Sequence, residues 1–297
     1  MAVVNRVGKA KPKRPTHTKS KARRNDEDAN VVTIPKGVSK PLETLDQSIL
    51  SIYGNSGCGK TTLAAQFPGY VTAQFETERK GIVLRKVDMS YITLEAYENS
   101  DHRPFLKFCN FVEKCIDDSS VKGIVIDTFS LMFQSAEDFV CYDGGYSHPN
   151  DANDYGKTWK KIQSLVRDVL TIFVQSGKGL IFVDHSTTTE IEINDEKFSL
   201  IQPKLRDSDT GSLPILKEMT EMVIYYGLNA DGSRYMQLQP TKNIYCKCAI
   251  DGHFQTPAGE QLKKLKVGHT PKLAYQDLIA AFNNKKSNPV KPKRTAK

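Results

Sequence analysis

One octapeptide constrains this chain more than any other feature. Gly54-Asn55-Ser56-Gly57-Cys58-Gly59-Lys60-Thr61 satisfies G-x-x-x-x-G-K-[ST] at every fixed position. It lies between a short apolar run, residues 48–53, and residues 60–66, which read as a helix ending before Pro68. A loop of this composition in this setting is a phosphate loop. Glycines let the backbone curl so that successive N–H groups point at phosphate oxygens, and the start of the following helix adds its dipole. Lys60 is expected to reach the β and γ oxygens of ATP, and the Thr61 hydroxyl to ligate Mg²⁺. Residues 54–61 with Thr62 form the expected nucleotide cradle. Cys58, at a variable position, reads as a small filler and not as a nucleophile.

The remainder of the interior alternates strand and helix. Residues 70–75, 91–94, 123–126 and 179–183 are strand candidates, and 105–116 and 158–174 carry helical periodicity. Strands separated by helix-length segments predict an α/β fold with a mostly parallel sheet flanked by helices. Residues 143–156 are rich in Gly, Asp and Asn and read as a mobile surface loop. Beyond Val183 the pattern changes. Residues 188–193 and 197–201 flank Asn194-Asp195 as a hairpin would, and 222–226 with 235–239 suggest C-terminal antiparallel strands. Residues 246–270 carry no assignable pattern, and no internal repeat is present.

A phosphate loop needs a carboxylate for its metal. Gly123-Ile124-Val125-Ile126-Asp127 is an apolar strand ending in one, so Asp127 is the expected second Mg²⁺ ligand. Thr128 and Ser130 set hydroxyls beside it, either to orient metal-bound water or to cap a helix. The strand at 70–75 ends in Glu76-Thr77-Glu78, which is either a group that activates water or part of a solvated charge cluster with Arg79 and Lys80.

The phosphate loop, the acidic end of the second strand and the apolar-Asp-Thr-x-Ser strand together resemble the RecA-core P-loop ATPases. Within them the chain is most similar to the short phage ATPases that act as single-strand annealing proteins. The resemblance spans about residues 49–245 and implies further roles. Glu78 would activate the attacking water, with Glu76 at the preceding acidic position. His185, after the strand ending at Val183, would sense the γ-phosphate, the alternative being an ordinary surface histidine. Residues 234–243 correspond to a region that offers a basic residue to the neighbouring subunit's ATP. Lys242 is the candidate there, an ordinary surface lysine being the alternative. A homo-oligomeric ring or filament follows from that contact. Single-stranded DNA would meet the segment 186–213, where Lys197, Lys204 and Arg206 stand with Phe198 among six acids.

Charge placement extends this reading to the ends. Of the 297 residues, 1–24 hold nine basic residues and 285–297 hold six, with no acid in either stretch. These ends carry +15 against +8 for the whole chain, so the remainder is negative by 7. Both ends are poor in large apolar residues and cannot offset the entropy of ordering. They are expected to be disordered basic tails, 1–30 and 283–297, around a domain at 31–282. They would bind DNA phosphates in a salt-dependent way or serve only as solubilising charge.

No apolar run approaches the roughly 18 to 20 residues a membrane span needs, and no secretory h-region opens the chain. The expectation is a cytoplasmic protein, in the host cytoplasm if it is viral. Cys246, Cys248 and His253 resemble half a zinc site but lack a fourth ligand at a recognisable spacing. Two other functions stay open: a non-hydrolysing nucleotide-binding adaptor that recruits a replication or packaging partner, and a small-molecule kinase. The kinase is disfavoured because 143–156 lacks the arginines of a phosphate-covering lid.

Overall fold

The computed structural model describes residues 42–76, 84–90, 104–193 and 195–285. In chain order the elements are β1 (Ile49–Gly54), α1 (Lys60–Ala64), β2 (Tyr70–Gln74), β3 (Lys86–Asp88), α2 (Pro104–Asp117), β4 (Gly123–Asp127), α3 (Phe129–Gly144) and α4 (Lys157–Gln175). They continue with β5 (Gly179–Ile193), β6 (Glu196–Pro203), α5 (Ser212–Met219), β7 (Met222–Leu228), β8 (Arg234–Gln237), β9 (Lys247–Cys248), β10 (Lys264–Val267) and α6 (Pro271–Phe282).

The main sheet runs β10-β8-β7-β1-β5-β4-β2-β3. From β7 to β3 every neighbouring pair is parallel, whereas β8 and β10 add to the β7 edge antiparallel. This is the expected α/β architecture, a mostly parallel sheet flanked by helices with C-terminal antiparallel strands. The apolar runs are continuous because both faces are covered. Ile124, Ile126, Leu180 and Phe182 face a core built with Phe108, Phe129, Ile162 and Phe173 from α2, α3 and α4. Their alternates Val125, Ile181 and Val183, with Leu50 and Ile52, face Leu63 of α1 and Leu278 and Phe282 of α6.

Several boundaries differ from expectation. Helix α1 stops at Ala64, two residues short, because Gln66 and Phe67 bond back to the carbonyls of Leu63 and Ala64 and tighten the last turn before Pro68. The hairpin is present, with Ile193 opposite Glu196 and Ser186 opposite Pro203. Its first strand, however, is the outward continuation of β5: a single 15-residue strand pairs with β1 as far as His185 and with β6 from Ser186 onward.

Residues 143–156 are not an open loop. Helix α3 runs to Gly144 and closes through Gly145 at φ 75°, with the Tyr146 N–H bonded to the Cys141 carbonyl. A 3-10 turn, Pro149–Ala152, then follows, in which the His148 N–H donates to Asp151 Oδ2, the Asn150 N–H donates to His148 Nδ1 and the Trp159 indole donates to Asn150 at 2.7 Å. Asp151 and Asn153, of the type that suggests a loop, bond the turn's own backbone.

Helices α3 and α6 carried no assigned pattern. Thr270 accepts from the Leu273 N–H ahead of Pro271, a start signal visible in the sequence. Residues 283–285, expected in the C-terminal tail, close that helix, with Lys285 N–H bonded to the Ala280 carbonyl. The strand expected at 91–94, the N-terminal tail and residues 286–297 lie outside the described residues.

Candidate functional site

Strand β1 delivers the chain into the loop at Gly54, where a Cβ would strike the carbonyl oxygen of Tyr226 on β7. The first glycine is therefore required by close approach of two backbones. At the other end Gly59 has φ +98°, a conformation that only glycine adopts without strain. Between them lie Asn55, Ser56, Gly57 and Cys58. The Cys58 side chain is buried and its thiol pKa is raised by that burial, the reverse of an activated nucleophile.

Lys60 is 6% exposed, and its ammonium donates to the carbonyls of Gly54 at 3.0 Å and Asn55 at 2.9 Å. The charge is thus held inside the curl of the loop. Beside it the Thr61 hydroxyl donates to Asp127 Oδ2 at 2.6 Å. Asp127 is buried at the end of β4, one strand removed from β1, with β5 between them. Neither chain neighbourhood nor direct strand pairing joins these residues. Parallel strands ending together at one edge of the sheet bring them into contact. A hydroxyl and a carboxylate oxygen fit Mg²⁺, which takes oxygen donors and keeps several waters.

Strand β5 contributes three successive residues. Asp184 is fully buried, and its Oδ1 accepts from the Ser130 N–H at 3.0 Å, fixing the start of α3 next to Asp127. Burial pushes its pKa up to about 8, against the lowering effect of the Ser130 hydrogen bonds. His185 Nε2 lies 2.8 Å from Glu76 Oε1, joining β5 to the end of β2. Ser186 donates to Asn55 Oδ1 at 2.6 Å, joining the hairpin to the phosphate loop. Gly57, Gly59, Lys60, Thr61, Thr62, Glu76, Asp127, Thr128, His185 and Arg234 line one cavity of about 310 Å³.

Phosphate loop, Asp127 and His185 therefore meet in one place. Glu78 lies outside the described residues. Lys242 is not among the cavity-lining residues; its ammonium is 3.6 Å from Glu196 and 3.6 Å from the centre of the Phe198 ring. Within 186–213, Arg206 pairs with Glu137 at 3.0 Å and lies over the Trp159 ring, so one of the three basic residues of that segment is engaged internally. The half zinc pattern is not assembled. Cys246 faces the Gln237 carbonyl, both ring nitrogens of His253 face carbonyl oxygens of Phe282 and Leu42, and no group of metal-ligating side chains of that kind occurs among the described residues.

Sequence reasoning missed Arg234 and Asp184. Arg234 begins an antiparallel strand far along the chain. Asp184 adjoins the recognised His185, but its burial is a property of the sheet.

Residues 47–248 match the model of a family described as an AAA domain. No curated protein matches the sequence. Among solved structures, a KaiC-like protein of the hyperthermophilic archaeon Pyrococcus horikoshii OT3 is 12% identical, with a TM-score of 0.39, covering 77% of this chain and 88% of that one.

Proposed function

This chain belongs to the AAA domain family, a RecA-like P-loop ATPase by its nucleotide loop and core, and from that premise we propose that it hydrolyses Mg²⁺-bound ATP while acting on single-stranded DNA in recombination, annealing or replication. The observation that carries the reading is the 2.6 Å contact between Thr61 and Asp127 beside a lysine enclosed by its loop. The loop amides and Lys60 hold the phosphates, and the Thr61 and Asp127 oxygens hold the metal. Mg²⁺ held by Thr61 and Asp127 would supply charge neutralisation during phosphoryl transfer. Glu78 takes the proton of the attacking water. Glu76 fixes the His185 ring, which would sense the γ-phosphate. Ser186, bonded to Asn55, passes any displacement of the loop into the hairpin.

DNA contact is assigned to the basic ends with Lys197, Lys204 and Phe198, and Lys242 to the ATP of a neighbouring copy in a ring or filament. Support comes from the basic ends and from the family resemblance in the core motifs. Among the described residues no helix is long and apolar enough to cross a membrane.

The test is ATP turnover with and without single-stranded DNA at two salt concentrations, for the full chain, for Glu78→Gln and for a form lacking residues 1–30 and 286–297. Stimulation by DNA that Glu78→Gln abolishes, and that salt or loss of the ends weakens, is expected. ATP binding without turnover in any condition would replace this reading with the nucleotide-binding adaptor. Transfer of phosphate to a nucleotide acceptor would replace it with a kinase.

A further inference from the structure

The cavity at the phosphate loop holds a second cation, Arg234, which lies in the region 234–243 but is not the residue the sequence reading selected there. Arg234 opens β8 and is partly exposed. Its Nε donates to the Cys58 carbonyl at 3.2 Å, and its Nη1 donates to the His269 carbonyl at 3.0 Å. A guanidinium carries five N–H donors, so two bonds leave three unspent. Among the described residues no carboxylate pairs with it, yet it lines the same cavity as Lys60 and Thr61. Two backbone carbonyls thus fix its plane without neutralising its charge. An aimed guanidinium of this kind suits an anionic or hydrogen-bond-accepting ligand.

Sheet order says which part of the ligand it meets. Asp127 ends β4, His185 lies on β5 and Glu76 follows β2, all on one side of β1, whereas Arg234 lies on β8, two strands away on the other side. The metal and the terminal phosphate belong to the side of Asp127. The end of a nucleotide remote from the metal belongs to the side of Arg234. We propose that Arg234 binds, within its own chain, the α-phosphate and ribose end of the nucleotide. It is thereby a positioning residue distinct from the γ-phosphate group at His185 and from Lys242. The inference rests on the nucleotide-site reading above. It makes the C-terminal antiparallel strands part of the site, since β7 and β10 hold the Arg234 backbone of β8 on its two edges.

Calorimetric affinities for Mg-ATP, ADP and AMP on the full chain test it, using Arg234→Gln, Arg234→Lys and, as a control, Lys60→Ala. Gln keeps an N–H for the carbonyls and loses the charge. Expected is a loss of about tenfold for all three nucleotides, partly recovered by Arg234→Lys, with the melting temperature of the nucleotide-free protein unchanged. Wild-type affinity for ADP and AMP in Arg234→Gln overturns the proposal, as does a loss confined to ATP, which would place Arg234 at the γ-phosphate. Should Arg234→Gln melt lower without nucleotide, Arg234→Lys decides. Affinity for ADP and AMP equal to that of Arg234→Gln overturns the proposal, and recovery above it supports the charge contact. If Lys60→Ala binds ATP as tightly as wild type, the nucleotide-site reading itself fails, an outcome separate from any result at Arg234.

Discussion

The Asp127 side and the β8 side of the phosphate loop are built differently. On the Asp127 side β1, β5, β4 and β2 are parallel, buried on both faces and joined through long crossovers, and their ends with the segments that follow them carry Lys60, Thr61, Glu76, Asp127 and His185. On the other side β7 is followed by the short strands β8, β9 and β10, held antiparallel and by isolated bridges. The first region announces itself in local motifs because a strand end and its loop are contiguous in sequence. The second supplies Arg234 through pairings between residues far apart in the chain, which leave no local signature.

Substitutions can break that comparison. The largest effect on ATP affinity is expected at Lys60→Ala, which removes the enclosed ammonium and should weaken ATP binding about 100-fold by calorimetry. Next is the parallel core. Phe182→Ala empties a fully buried site against Phe129, and should cost about 3 to 5 kcal/mol in denaturant unfolding. Leu265→Ala on the edge strand β10 should cost about 2 kcal/mol, so equal losses would deny that the two sides differ in packing.

Asp184 separates the regions by pH. Its carboxyl has an ordinary pKa of 3.8, yet burial holds it protonated up to about 8 in the folded chain. Folding therefore binds a proton across that window. The associated stability is complete below about pH 4 and is lost as pH rises through 8, at no more than about 1.4 kcal/mol per unit. Asp184→Asn keeps an oxygen for the Ser130 N–H and should flatten this part of the pH profile in thermal melts. A wild-type slope in the variant would refute the assignment.

The smallest effect is expected at Tyr53→Phe. The Tyr53 hydroxyl lies 2.5 Å from the Tyr245 carbonyl and 3.2 Å from that of Ile201, stitching β1 to both the hairpin and the C-terminal segment. Its loss should cost about 1 kcal/mol while leaving ATP affinity unchanged.

Much of the core could be read before any coordinates. The strands at 70–75, 123–126 and 179–183 and the helices at 105–116 and 158–174 follow from periodicity, since two-sided burial and one-sided helix burial leave distinct patterns. The hairpin could be read from its alternation, but the union of its first strand with β5 could not, because burial changes at Asp184 while the backbone stays extended. The turn at 143–156 was misread because Asn, Asp and Gly signal irregular backbone equally in open loops and in capped turns. Strands of two to four residues, such as β9, β3 and β10, are too short for any period to register.

For this chain, amino-acid order alone sufficed to specify a phosphate loop after a buried strand, a carboxylate ending a second strand, and an α/β sheet to carry both. Steric requirements at Gly54 and Gly59 and the periodicity of buried strands act over a few residues. The contact of Thr61 with Asp127, the enclosure of Asp184, the Glu76–His185 link and the placement of Arg234 in the cavity that Lys60 lines came only with the tertiary structure. Each depends on strand order and on the dielectric environment of a group, and both are set by contacts between residues distant in the chain.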